Sequence, residues 1–170
     1  MNAYFKRIQH AICSTTRGMT SKQLQWCPEG KWSTAEILEH LLLTYRGTVM
    51  TFNRCLTAGN PMATLPLRQH RFLAFIVVKL GHMPKGREAP AFTRPKGASA
   101  ETIVSDVLHQ LAAMDEAIWK CEQRLGSRVK LANHPVLGPL TACEWRKFHW
   151  VHARHHLRQI ERLKKLAPVP

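Results

Sequence analysis

Residues 140–163 read LTACEWRKFHWVHARHHLRQIERL, and the direction in which these side chains point decides the fold. The segment's start is marked twice. Thr141 is followed three residues later by Glu144, so each side chain can satisfy a backbone N–H that the first helical turn leaves without a partner. Leu140 before the cap and Trp145 at the fourth helical position can close a hydrophobic staple over it. The pattern predicts a helix running to about Leu166, with Pro168 preventing further extension. At about 100° per residue, and with His152 as zero, Trp145 and Leu163 fall near +20°, His156 near +40° and Gln159 near −20°. Phe148 lies near −40°, His149 near +60° and Ile160 near +80°, whereas Lys147, Arg154 and Arg158 group at about 200–240°. His152 and His156 are therefore expected at the centre of an inward stripe, with His149 and His155 flanking it. Trp150, about 160° from His152, should face outward, where it would suit an interface.

The same start signal occurs in KWSTAEILEHLLLTY (31–45), where Ser33 caps, Glu36 sits three residues on, and Trp32 and Ile37 can form the staple. This helix should run to about Ala58 and stop before Gly59-Asn60-Pro61. His40 has Ile37, Leu41, Thr44 and Thr48 around it at helical spacing, so it too should face inward. A first helix is expected from about Ala3 to Thr16, with Tyr4, Ile8, Ala11 and Ile12 in register. A polar connection containing Pro28 and Gly30 follows it. Ser99, Thr102 and Ile103 open a further helix to about Leu125. Between residues 59 and 100, RFLAFIVVKLG suits a short helix or buried segment, and the proline-bearing HMPKGREAPAFTRPKGAS suits an extended loop. No β-hairpin signal stands out. The expectation is one all-α domain over 1–170, a four-helix bundle with a long connection between its second and third main helices.

Composition narrows the function. At 45% hydrophobic and 21% charged, the chain is globular in character. Its longest apolar run, FLAFIVV (72–78), is far short of the roughly 20 residues a spanning helix requires. The N-terminal stretch lacks a signal-peptide core, so a cytoplasmic location is expected and no membrane partner. Five cysteines without a C-x-x-C pair argue against a disulfide framework or a thiolate zinc site. The net charge of +14 invites a nucleic-acid reading, but the 25 Lys and Arg are scattered, with no run beyond Lys164–Lys165. A basic surface also draws small anionic substrates through its long-range field.

Imidazoles at i and i+4 project side by side, so His152 and His156 could reach a single ion, although each could equally be an ordinary hydrogen-bonded core histidine. His40 adds a third inward imidazole from a helix that should pack against theirs. Gln159, three residues after His156, is placed to hydrogen-bond a ligand from behind, while Glu36 is explained by capping and Glu39 lies about 100° from His40. Cys55 and Cys143 are expected as small buried hydrophobes, and Trp32, Tyr45 and Trp145 as core aromatics. His10, His70, His82, His109 and His134 show no partner pattern and are expected at the surface or in loops.

The two stretches together, W-S/T-x-x-E-x-x-x-H at the start of one helix and H-x-x-x-H-x-x-Q-I in the last, resemble the DinB-like (YfiT-like) superfamily over essentially the whole chain. That resemblance implies a four-helix bundle, often a homodimer, holding a divalent metal on three histidines, here His40, His152 and His156. Zinc, nickel and ferrous iron all accept such a ligand set, so the expected cofactor is one of these three. Characterised relatives include transferases and isomerases that use a low-molecular-weight thiol as co-substrate, such as mycothiol, bacillithiol or glutathione. His155 stands where some relatives carry an acidic residue. The expected function is a metal-dependent enzyme that activates such a thiol, or water, against a small electrophile. The alternatives are a non-catalytic stress-response bundle or a basic nucleic-acid-binding module.

Overall fold

The computed structural model describes residues 1–84 and 88–167. Its long helices are α1 (Ala3–Thr16), α3 (Thr34–Ala58), α5 (Ile103–Leu125) and α6 (Ala142–Leu166), the four main helices expected. The expected stop at Pro168 and part of the long loop (85–87) lie outside the described residues.

Both capping boxes form. Ser33 N–H donates to Glu36 Oε2 at 2.7 Å and Glu36 N–H to Ser33 Oγ at 3.2 Å. Thr141 N–H donates to Glu144 Oε2 at 2.8 Å and Glu144 N–H to Thr141 Oγ1 at 3.3 Å. Each pair satisfies two N–H groups that helix geometry leaves over. At its other end α3 stops on Gly59, whose φ of +69° lets its N–H turn back to Cys55 O at 3.0 Å.

α3 packs chiefly along α5, and α1 along α6, with further contacts of α1 and α6 to α5. The shared core contains Phe5, Ile8 and Ile12 of α1, Leu38, Leu41, Tyr45 and Phe52 of α3, and Val107, Leu111, Met114 and Ile118 of α5. Phe5 therefore joins Ile8 and Ile12 at the centre of the α1 stripe, while Tyr4 and Ala11 flank it half-buried. Arg146 and Glu122 form a mostly buried ion pair at 2.7 Å between α6 and α5.

Several expectations are corrected. A short hairpin exists, β1 (Ala132–His134) against β2 (Gly138–Leu140), antiparallel with Asn133 opposite Pro139. Three-residue strands are too short to show an alternating pattern, which is why HPVLGP reads as loop. Gly138 has φ +69°, and a Cβ there would lie 2.6 Å from His70 Nδ1, so the turn needs glycine for conformation and for space. The polar connection after α1 contains a short α2 (Ser21–Gln25) with its own Thr20–Gln23 capping box. The short helix expected at RFLAFIVVKLG does form: α4 (Arg68–Ala74) begins just before that stretch and runs into a π-helical turn, Phe75–Lys79, which buries Val77 and Val78 but leaves Phe75 exposed, as Phe72 of α4 is. Lys147 Nζ and Arg154 donate to the carbonyls of Lys79 and Gly81, at 3.3 and 2.7 Å, tying the end of that turn to α6. Trp150 is half-buried, with Arg154 over its ring at 5.9 Å, rather than an exposed anchor. Cys143 is exposed, whereas Cys55 and Cys121 are buried.

Candidate metal centre

Three imidazoles from two helices meet at one point. His40 Nε2 lies 3.2 Å from His152 Nε2, which lies 3.1 Å from His156 Nε2. One ligand atom from each of the three falls within 4.8 Å of the other two. Metal–nitrogen bonds of about 2.0–2.1 Å at tetrahedral angles set neighbouring ligand nitrogens about 3.3 Å apart, so the two short spacings already suit a shared ion.

The outer nitrogens orient the set. His40 Nδ1–H donates to the Thr93 carbonyl at 2.8 Å, and His156 Nδ1–H to Gln159 Oε1 at 2.8 Å. With those protons placed on Nδ1, the Nε2 atoms of His40 and His156 present bare lone pairs. A single proton on His152 Nε2 cannot fully satisfy two such acceptors. The three rings therefore form an electron-rich focus that a cation would satisfy. Ligation through His152 Nε2 puts its ring proton on Nδ1, which is buried with no hydrogen-bond partner among the described residues. Burial disfavours protonation throughout: it holds His156 down to about 3, keeps His152 well below its ordinary value and lowers His40 despite the Thr93 bond. All three are neutral, ligand-competent imidazoles at neutral pH.

The stripe on α6 is not where equal angular spacing from His152 puts it. Buried positions are Ala142, Trp145, Arg146, Phe148, His149, Val151, Ala153, His156, Leu157, Ile160 and Leu163, and their mean direction lies near His149. His152 is only half-buried, at the edge between the core and a cavity of about 920 Å³. From α6 the cavity is lined by Trp145, Phe148, His152, His155, His156, Arg158, Gln159 and Arg162. α6 thus presents a core face and a cavity face, and the histidine pair sits where they meet. Arg158, expected on the far side, borders the cavity instead.

His149 is wholly buried and serves the core. Thr48 Oγ1 donates to Thr44 O at 3.1 Å and so accepts from His149 Nε2–H at 3.1 Å. Tyr45, Phe5 and Trp145 pack around its ring, and burial keeps it neutral. His134, expected at the surface, is packed T-shaped on Phe148 with ring centroids 4.2 Å apart. Its Nδ1 accepts from the Val136 and Leu137 N–H groups, both at 3.1 Å, bracing the hairpin turn, and burial lowers it to about 3. His10, His82 and His109 are exposed, as expected, and His70 is half-buried against Gly138.

The long loop closes over the site from the α3 side. Glu39, whose orientation the helical wheel leaves open, is buried and its carboxylate accepts the N–H groups of Lys96, Gly97 and Ala98 at 3.0, 3.0 and 2.9 Å. Adjacent residues of α3 thus hold the same loop, Glu39 through three N–H groups and His40 through Thr93 O. No local motif in the sequence announces this, because the partners are more than 50 residues away. Gln159 stands behind His156 as expected, and its Nε2 reaches His155 Nε2 at 3.3 Å. Tyr45 and Trp145 are core residues, but Trp32 is half-buried on the cavity wall with its ring 5.4 Å from that of His40.

Neither the curated proteins nor the solved structures contain a match to this chain. A family model does match, over residues 5–163, a span that holds all three convergent histidines, Gln159 and Glu39. The chain belongs to that family, which is described as protein of unknown function (DUF1569).

Proposed function

We propose that the chain is a divalent-metal-dependent enzyme in which His40, His152 and His156 hold the ion and a small molecule enters the adjoining cavity. The observation that carries this is the convergence of three neutral Nε2 atoms at the wall of a large cavity, two of them oriented from behind by Thr93 O and Gln159 Oε1. The resemblance to the DinB-like superfamily supports the same ligand set.

Three imidazoles leave coordination positions free, and an ion held this way supplies a Lewis acid that makes a bound thiol or water ionise near neutral pH. The chain's own residues do the rest. Gln159 keeps His156 in the Nδ1–H tautomer, and Thr93 does so for His40. Trp32 and Phe148 wall the site against bulk water. His155, on the cavity wall and linked to Gln159, places a further imidazole beside the site. The reaction is transfer of a low-molecular-weight thiol to a small electrophile, or hydrolysis of that electrophile.

Elemental analysis of protein purified without an affinity tag tests the first half. A single zinc, nickel or iron per chain is expected, lost in His40→Ala and His156→Ala variants that keep their helical circular dichroism. Unchanged metal content in both variants would sink the three-histidine site. A thiol-conjugation assay on metal-replete protein tests the second half, and full metal occupancy with no turnover of any thiol or hydrolysable electrophile would favour the non-catalytic bundle.

A further inference from the structure

The cavity's charge is lopsided. Apart from its histidines, the charged side chains among its described lining residues are Glu88, Arg158 and Arg162. Glu88 is already neutralised by Arg94 at 2.8 Å. Among the described residues Arg158 and Arg162, like Lys165 at the end of α6, make no ion pair or hydrogen bond, whereas Arg146, Lys147, Arg154 and Lys164 each bond a carboxylate or a carbonyl. The two guanidiniums are four residues apart on one helix, so they stand one turn above the other on the same side. Their midpoint lies about 9 Å along α6 from the midpoint of His152 and His156, at a rise of about 1.5 Å per residue. The rest of the described wall carries the apolar and aromatic side chains of Trp32, Phe148, Phe92, Met83, Val77 and Leu137.

We infer that the cavity takes an amphipathic organic anion, whose apolar body lies against this wall and whose carboxylate, sulfonate or phosphate is held at the mouth by Arg158 and Arg162. This rests on the cavity being the substrate site of the proposed enzyme and specifies the substrate's class. Two forked guanidiniums offer the oxygens of such an anion several parallel N–H donors, a geometry lysines do not present. The net charge of +14 adds a long-range field that draws such molecules in. Arg158 and Arg162 follow the imidazoles along α6, so an acid held there leaves the other, uncharged end to reach them.

A matched pair of fluorescent probes tests this: anilinonaphthalene sulfonate, and phenylnaphthylamine, which has the same aromatic body without the acid. At low salt the sulfonate should bind about tenfold more tightly, the effect of one good charge-assisted bond. The advantage should vanish in the Arg158→Gln/Arg162→Gln double variant, with the neutral probe's affinity and the metal content both unchanged. A Leu65→Ser/Phe72→Ser variant, which blunts the exposed apolar surface before and on α4, should bind both probes as the parent does. Equal affinity for the two probes, a sulfonate advantage that survives the double arginine variant, or loss of binding in the Leu65/Phe72 variant would each overturn the inference. The metal site is separable: His152→Ala should lose its ion and keep the sulfonate advantage. A protein that never takes up metal yet shows the arginine-dependent advantage would refute the metal reading and leave the anion site standing.

Discussion

At the scale of single residues, the site is defined as much by the atoms behind the imidazoles as by those in front. Gln159 accepts the His156 Nδ1 proton and so points the Nε2 lone pair at its two neighbours. Gln159→Ala removes that acceptor and is expected to weaken metal affinity about 10- to 100-fold, while Gln159→Glu, which keeps an acceptor, should retain most of it. Competition against a chelator of known affinity reads this directly, and an unaltered affinity for the alanine variant would mean that Gln159 does not orient the ring. His149 and His134 show why histidine density is a poor guide. Both are as desolvated as the convergent three, but their ring nitrogens serve Thr48 and the hairpin turn.

At the scale of elements, two irregular pieces hold the cavity's shape. Glu39 closes the 93–98 segment by accepting three N–H groups with one buried carboxylate. Glu39→Gln replaces an acceptor-only group with one whose NH₂ faces N–H donors, and should destabilise loop closure by on the order of 2 kcal/mol. Trypsin should then cut faster after Lys96 while helix content is unchanged, and an unchanged cutting rate would show that the carboxylate is not what holds the loop. The hairpin is the second piece, positioned by Trp145 Nε1–H to Ala132 O at 3.4 Å and by α4 against β2. Gly138→Ala meets a positive φ and the His70 ring together. A loss of about 2–3 kcal/mol in urea unfolding is expected, the range for strained left-handed residues with an added clash. If His70→Ala fails to recover part of that loss in the double variant, the ring is not the obstacle.

At the scale of the whole molecule, buried neutral histidines make the fold sensitive to acid. His134 and His156 are held to about 3, and His40, His149 and His152 are lowered as well, all chiefly by burial. In the unfolded chain each would protonate near 6.5, so below that pH the unfolded state binds more protons than the native one. Stability is therefore full above about pH 6.5 and falls as the pH drops toward 3, by about 1.4 kcal/mol per unit for each such histidine. His134 and His156 together should remove about 4 kcal/mol by pH 5. Urea midpoints of chelator-treated protein at pH 7.5 and 5 measure this, and a flat profile would mean that these rings are solvated in the native state.

The four helices were legible because their signals are local. The capping boxes at Ser33 and Thr141, the stop at Gly59 and the apolar periodicity all act within a few residues along the chain. That was enough to set the bundle and to turn His40, His152 and His156 inward. Helical geometry alone could not say that α6 has two inward faces, one packed on the core and one open to the cavity, because a wheel does not show what lies opposite. Nor could it find the grip of Glu39 on residues 96–98, the packing of His134 on Phe148, or the unopposed pair Arg158 and Arg162 at the mouth. Each of these depends on groups brought together from distant segments, where charge, burial and hydrogen bonding arise only once the helices are packed. The sequence by itself determined the helices and which histidines enter the bundle. The tertiary structure alone decided that three Nε2 atoms meet, what orients them, and that they open onto a cavity.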